Sequence, residues 1–188
     1  MRTARWRGLA RFLARREARA LTRLEGLDGV PSLVAIERDR LVRAYLPGEV
    51  MYRSSPRTRK YYRDALRLVR SLHGRRVAHN DLAKEANWIC RDDESPGIVD
   101  FQLAFCFTRR NRLFRLLAME DLRHLLKHKR HYRPDALTAR ERRILETPMW
   151  PSRWWRILVK PGYLFLTRRI LGWPERDGAV ERQRQAKD

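Results

Sequence analysis

The chain has two cysteines, Cys90 and Cys106, in 188 residues. Lone thiols in apolar runs exclude a disulfide framework and read as buried groups of a reducing compartment. No apolar run approaches the ~20 residues that a bilayer-spanning helix needs. Residues 1–7, with arginines at positions 2, 5 and 7, lack the uninterrupted apolar segment of a secretory signal. A cytoplasmic protein is therefore expected. Acid is scarce as well: 22 Asp and Glu stand against 43 Lys and Arg, for a net charge of +21. Such a field draws phosphate-rich partners, whether nucleotide, RNA, anionic lipid headgroup or lipopolysaccharide, and does not choose among them. Arginine-rich surfaces also arise from GC-rich genomes, so the charge alone assigns no function. The length suffices for one core, or one and a fraction.

Two short stretches stand out against this background. One is His79-Asn80-Asp81-Leu82-Ala83-Lys84-Glu85-Ala86-Asn87, the other Ile98-Val99-Asp100-Phe101-Gln102. Each begins where a β-like run, Val77-Ala78 or Gly97-Ile98-Val99, delivers a carboxylate to a strand end or turn. Trp88-Ile89-Cys90 and the polar turn 91–97 lie between them, a hairpin pattern. Strand, loop, hairpin and Asp can set Asp81, Asn87 and Asp100 around one volume. Oxygen donors there suit a hard cation such as Mg²⁺, with a base left to face a hydroxyl. Taken singly, either stretch is no more than an Asp-containing turn capping a strand.

The ordered pair resembles the catalytic loop and metal-binding Asp of the protein-kinase-like superfamily, and most of all its RIO-like and lipopolysaccharide-core (Kdo) kinase branches. The resemblance implies ATP and Mg²⁺ as cofactors. Asp81 would orient or deprotonate the acceptor hydroxyl, Asn87 and Asp100 would hold the metal, and Lys84 would neutralise charge on the transferred group. Five residues, Leu82 to Ala86, separate Asp81 from Asn87, one more than the usual kinase loop. Either the extra residue bulges out or Asn87 falls short of the metal. Gln102 stands where Gly commonly follows Asp-Phe.

The same resemblance orders the rest of the chain as an α+β, kinase-like fold. A helix is expected over 8–24, with Leu9, Phe12, Leu13, Leu21 and Leu24 at helical spacing and Gly26 as the stop. It matches the αC helix, and Glu17 would be the acid that pairs with a strand lysine. Without the family, Glu17 is a surface residue in an i,i+4 pair with an arginine. Strands follow at 29–36 and 41–48. The second ends in Tyr45-Leu46-Pro47-Gly48 and resembles the hinge, where the backbone of Ala44, Tyr45 and Leu46 would bind the adenine edge; read alone, it is a buried strand entering a turn. Tyr61 to Leu72 forms an amphipathic helix closed by Gly74. The division expected is a partial N-lobe and hinge at 1–48, a mostly helical C-lobe at 49–174 and a disordered tail at 175–188.

What the resemblance does not find is a glycine-rich hairpin and lysine upstream of the αC-like helix; the first lysine is Lys60. A short gene model, a degenerate kinase and a minimal phosphotransferase with rebuilt phosphate contacts all account for this. After Asp100 there is no Ala-Pro-Glu and no long activation segment, which leans away from a protein acceptor. A helix is expected over 113–129, then a turn at 134–138 and a capping box between Thr138 and Glu141. His124, His128 and His131 lie at i, i+4 and i+7 but have no Cys or acid in register, so they read as a solvated basic helix and not a zinc site. Trp150, Trp154, Trp155, Tyr163, Phe165 and Trp173 alternate with cations in a pattern that suits packing on the C-lobe, a membrane interface or RNA, in that order. Two functions follow. One is an ATP- and Mg²⁺-dependent kinase acting on a hydroxyl of a protein or of a lipopolysaccharide or glycan sugar, in the cytoplasm or at the inner membrane face. The other is a catalytically impaired, basic module holding RNA or an anionic membrane.

Overall fold

The computed structural model describes residues 2–37 and 40–146. Alanine, leucine and arginine, all good helix formers, carry helix α1 over Arg2–Arg23. It starts six residues before the expected Gly8, because one glycine inside such a run costs only about 1 kcal/mol. Gly26, at φ +72°, turns the chain out of it. Glu17, Ala20 and Leu21 form its buried stripe, which Leu24 continues just past the helix end.

Strands β1 (Leu33–Ile36) and β2 (Leu41–Arg43) form an antiparallel hairpin. The expected burial of the second strand does not hold: Val42 is 39% exposed and Tyr45 84%, and on β1 Val34 is 63% exposed and Ile36 60%. In this two-stranded ribbon β1 packs on α1, and Val34 and Ile36 face solvent. A second antiparallel sheet has the order β3 (Glu49–Val50), β5 (Trp88–Cys90), β6 (Pro96–Ile98). A third pairs β4 (Val77–Ala78) with β7 (Phe105–Cys106).

The short helix α2 (Met51–Ser54) leads to α3 (Arg59–Gly74). Thr58 caps α3 by accepting from the Tyr61 amide at 3.2 Å. Its buried stripe runs Tyr61, Tyr62, Ala65, Leu68, Val69, Leu72 and His73. Helix α4 spans Arg112–Tyr132 behind an Asn111 cap whose side chain accepts from the Phe114 amide at 2.8 Å. One core joins these helices to the sheets: Leu21, Leu24, Tyr61, Leu72, Trp88, Ile98, Phe101 and Leu125 are all essentially buried. Each such side chain contributes about 1.5–3 kcal/mol on transfer from water. Cys90 and Cys106 are free and only partly buried, at the edge of this core.

Gly48 holds β3 against β5. Its φ is +133°, and a Cβ there would lie 2.5 Å from the Cys90 carbonyl oxygen. Gly48→Ala is therefore expected to destabilise the fold by about 1–3 kcal/mol from backbone strain, read as a lower urea midpoint with unchanged slope.

The chain divides into two units, one up to Leu137 and one from Thr138. In the second, α5 (Ala139–Glu146) opens with the expected capping box: the Thr138 amide donates to Glu141 Oε2 at 2.8 Å and the Glu141 amide to Thr138 Oγ1 at 3.2 Å. The aromatic segment from Trp150 to Trp173 and the tail 175–188 lie outside the described residues. Among the described residues no helix is long and apolar enough to cross a membrane.

Candidate active site

Strand β4 ends at Ala78, His79 follows, and the chain then reverses through Asn80 at φ +64°, a left-handed conformation that Asn tolerates better than most residues. Asp121, fully buried on α4, holds this turn. Its Oδ2 accepts from the His79 amide at 2.8 Å and its Oδ1 from the Asn80 amide at 2.9 Å. His73 Nε2 lies 3.1 Å from the same carboxylate. Asp81 follows directly, aimed by these bonds.

The residues after Asp81 resolve the question of the long loop. A turn at Leu82-Ala83 and a 3₁₀ turn over Glu85–Asn87 take up the extra residue within the loop. Asn87 comes back onto Asp81: its Nδ2 lies 2.9 Å from the Asp81 carbonyl oxygen and 3.2 Å from Oδ2. Lys84 Nζ sits 2.7 Å from that same Oδ2. Burial raises the Asp81 carboxyl from its ordinary value, and the Lys84 ammonium works against that rise. The loop is fastened from behind by the Leu82 carbonyl, which accepts from Trp88 Nε1 at 3.1 Å and His128 Nε2 at 2.8 Å.

One residue joins the two motifs. The Val99 amide donates to the Asn87 carbonyl at 3.0 Å, and His79 Nε2 meets the Val99 carbonyl at 3.0 Å. A carbonyl only accepts, so His79 Nε2 carries the proton; full burial lowers its pKa and keeps the ring neutral. Asp100 comes next, at φ +63°. The carboxylates of Asp100 and Asp81 feel each other's charge, as do those of Asp100 and Glu17.

Glu17 is not a surface acid. It is buried on α1 and pairs with the guanidinium of Arg43, 26 residues along the chain at the end of β2. The expected lysine is replaced at this pairing by an arginine. Desolvation raises the Glu17 carboxyl, and Arg43 together with the Phe101 amide holds it down. Of the hinge residues, Ala44 already donates its N–H to the Ser32 carbonyl at 2.8 Å. Tyr45 and Leu46 continue in extended chain, with Leu46 packed over Gly97.

Oxygen donors for a divalent cation are sparse but of the right kind. With Nδ2 of Asn87 turned to Asp81, its Oδ1 faces the other way, and Asp100 stands one residue past the Val99–Asn87 bond. No group of three or more His, Cys, Asp or Glu forms an all-protein cage among the described residues. One amide oxygen and one carboxylate fit Mg²⁺, which takes one or two protein ligands and completes its shell with phosphates and water.

The histidines of α4 are not the solvated row expected. His128 is buried in contact with the loop, because it shares a stripe with Leu117, Asp121 and Leu125. His131 is exposed, and His124 is partly buried beside Glu120 at 4.0 Å. Spacing alone revealed neither Asp121 nor Arg43. The signal for Asp121 was an acid four residues after Leu117 and four before Leu125, inside an apolar stripe.

The fold has counterparts among solved structures. The fold matches the crystal structure of the Rio2 kinase from Chaetomium thermophilum, with a TM-score of 0.58 and 19% identity over 97% of this chain and 58% of that one. It also matches the Rio2 kinase–ADP/Mg²⁺–phosphoaspartate complex from the same organism, with a TM-score of 0.58 and 18% identity over 97% and 57%. This chain thus spans little more than half the length of those proteins. No curated protein matches its sequence. The model of the RIO domain matches residues 1–141, and the chain belongs to that family.

Proposed function

We propose that this chain is an ATP-dependent phosphotransferase that uses Mg²⁺ and moves the γ-phosphoryl group to a hydroxyl acceptor. The observation that carries the reading is the fastening of Asp81, Lys84 and Asn87 into one hydrogen-bonded cluster, tied through Val99 to Asp100. Asp81 accepts the hydroxyl proton as the acceptor oxygen bonds to the γ-phosphorus, the bond to the ADP oxygen breaks, and ADP leaves. Lys84 is the cation beside that transfer. Asn87 Oδ1 and the Asp100 carboxylate would hold the metal, which, when bound, supplies charge neutralisation on the nucleotide phosphates. The adenine edge would meet the Ala44 carbonyl and the Tyr45–Leu46 backbone, since the Ala44 amide is engaged. The 1–48 and 49–174 division is proposed on the same likeness.

The acceptor is a protein hydroxyl or a sugar hydroxyl of a glycan or lipopolysaccharide. A third arm comes from the phosphoaspartate of the Rio2 complex: transfer to an Asp of this chain would leave a hydroxylamine-sensitive label after incubation with γ-labelled ATP. The net charge of +21 favours a second reading, a basic module that holds RNA or an anionic membrane without transfer. Binding that falls steeply with salt and survives Asp81→Asn would mark it.

Thermal shift tests the first reading directly. ATP with Mg²⁺ is expected to raise the melting temperature of the wild type, and Asp100→Asn to remove the Mg²⁺-dependent part of that rise. A wild type that neither shifts with Mg-ATP nor transfers phosphate ends it.

A further inference from the structure

Arg43 spends one of its N–H donors on Glu17. A guanidinium has five, and this side chain is 37% exposed, so donors remain for a further acceptor. The Glu17 carboxylate that anchors it is also stabilised by the Phe101 amide, and Phe101 follows Asp100. Strand β2, helix α1 and the Asp100 turn therefore converge through Arg43, Glu17 and Phe101.

Charge explains why that convergence matters. Asp100 senses both Glu17 and Asp81 at this site, and a nucleotide triphosphate adds more negative charge. A single divalent ion leaves that sum strongly negative. Lys84 is already held at Asp81, on the loop side. At the Glu17 side the cation paired with the carboxylate is Arg43, while Arg16 is spent on the Leu103 and Ala104 carbonyls. An arginine fork also matches phosphate geometry better than a single ammonium.

We infer that Arg43 is the phosphate-positioning residue of this site: Glu17 fixes its guanidinium, and the remaining donors take oxygens of the nucleotide phosphates. The inference deepens the phosphotransferase reading and rests on it. The competing role for Arg43 is a strut that pins β2 to α1 and has no contact with nucleotide.

Calorimetric titration of the full chain with Mg-ATP and with adenosine separates the two roles. In Arg43→Met, Mg-ATP affinity is expected to fall about 10- to 100-fold, the loss of one or two charge-assisted hydrogen bonds, while adenosine affinity stays within about twofold. Arg43→Lys, which keeps the charge and loses the fork, is expected to fall between wild type and Arg43→Met. In turnover, KM for ATP rises more than kcat falls. Equal losses for ATP and adenosine, or an unchanged ATP affinity in a folded variant, overturn the inference. If Arg43→Met does not melt cooperatively, Arg43→Lys decides alone, with a selective ATP loss in support and an unselective or absent one against. A wild type that binds no Mg-ATP removes both readings. A wild type that binds it but transfers nothing removes only the transferase reading and leaves the role of Arg43 measurable.

Discussion

Asp121→Ala is expected to destabilise the fold by about 3–5 kcal/mol, the cost of removing one member of a buried charged network. The lost acceptor leaves the His79 and Asn80 amides and His73 Nε2 without their partner, at a largely buried turn. A buried donor left unsatisfied costs about 1–3 kcal/mol. The effect should not stay local. The Asn80 turn sits in the left-handed region, a conformation held by its surroundings, so its release also frees Asp81. Urea unfolding followed by circular dichroism reads the stability, and Mg-ATP thermal shift reads the site. Asp121→Asn retains one acceptor oxygen but sets an amide N–H against an N–H donor, and is expected to recover less than half of the loss. A midpoint shift equivalent to under about 1 kcal/mol in Asp121→Ala would show that the loop is held by other means.

The parts of this site that are local in sequence were legible, and the parts that cross the fold were not. Asp81, Lys84, Asn87 and Asp100 sit at strand ends whose apolar runs and turns can be read directly, and the α+β order of elements followed from the same runs. The five-residue loop could be counted but not resolved, because whether Asn87 returns to Asp81 depends on a 3₁₀ turn stabilised by contacts from Trp88 and His128. Val99, which ties the motifs, acts through its backbone, and its side chain carries no hint of it. Asp121 lies 41 residues beyond Asn80, and only its place in an apolar stripe marked it. Glu17 could be noticed as the lone acid of its segment, but its partner was sought as a lysine before the helix. The arginine that answers it follows the helix, on a strand whose alternation does not say which face meets α1. His128 was misread for a related reason: in so basic a segment, its position on the Leu117–Leu125 stripe was outweighed by its neighbours' charge.

Asp81→Asn is expected to lower the transfer rate about 10²- to 10⁴-fold, the range for loss of a positioned general base, while Mg-ATP binding changes little. Asn keeps the shape of the side chain and an acceptor oxygen for Lys84 and Asn87, so the loop stays in place. It cannot take the acceptor proton. The surroundings of Asp81 add a second, independent signature. Burial raises its carboxyl and Lys84 opposes the rise. The base works only when ionised, so transfer falls as pH drops through that raised pKa, at a higher pH than an unperturbed Asp would give. Lys84→Met removes the opposing ammonium, 2.7 Å away. It should therefore move the acid limb of kcat/KM to still higher pH, along with about a 10²-fold loss at the plateau from the missing charge beside the phosphoryl group. Profiles are compared at one saturating Mg²⁺ concentration. A Lys84→Met limb that stays put, with the plateau lowered, would mean that Lys84 serves the phosphoryl group alone. A limb that survives unchanged in Asp81→Asn would show that the titrating base lies elsewhere, and with it the proton-accepting role assigned to Asp81.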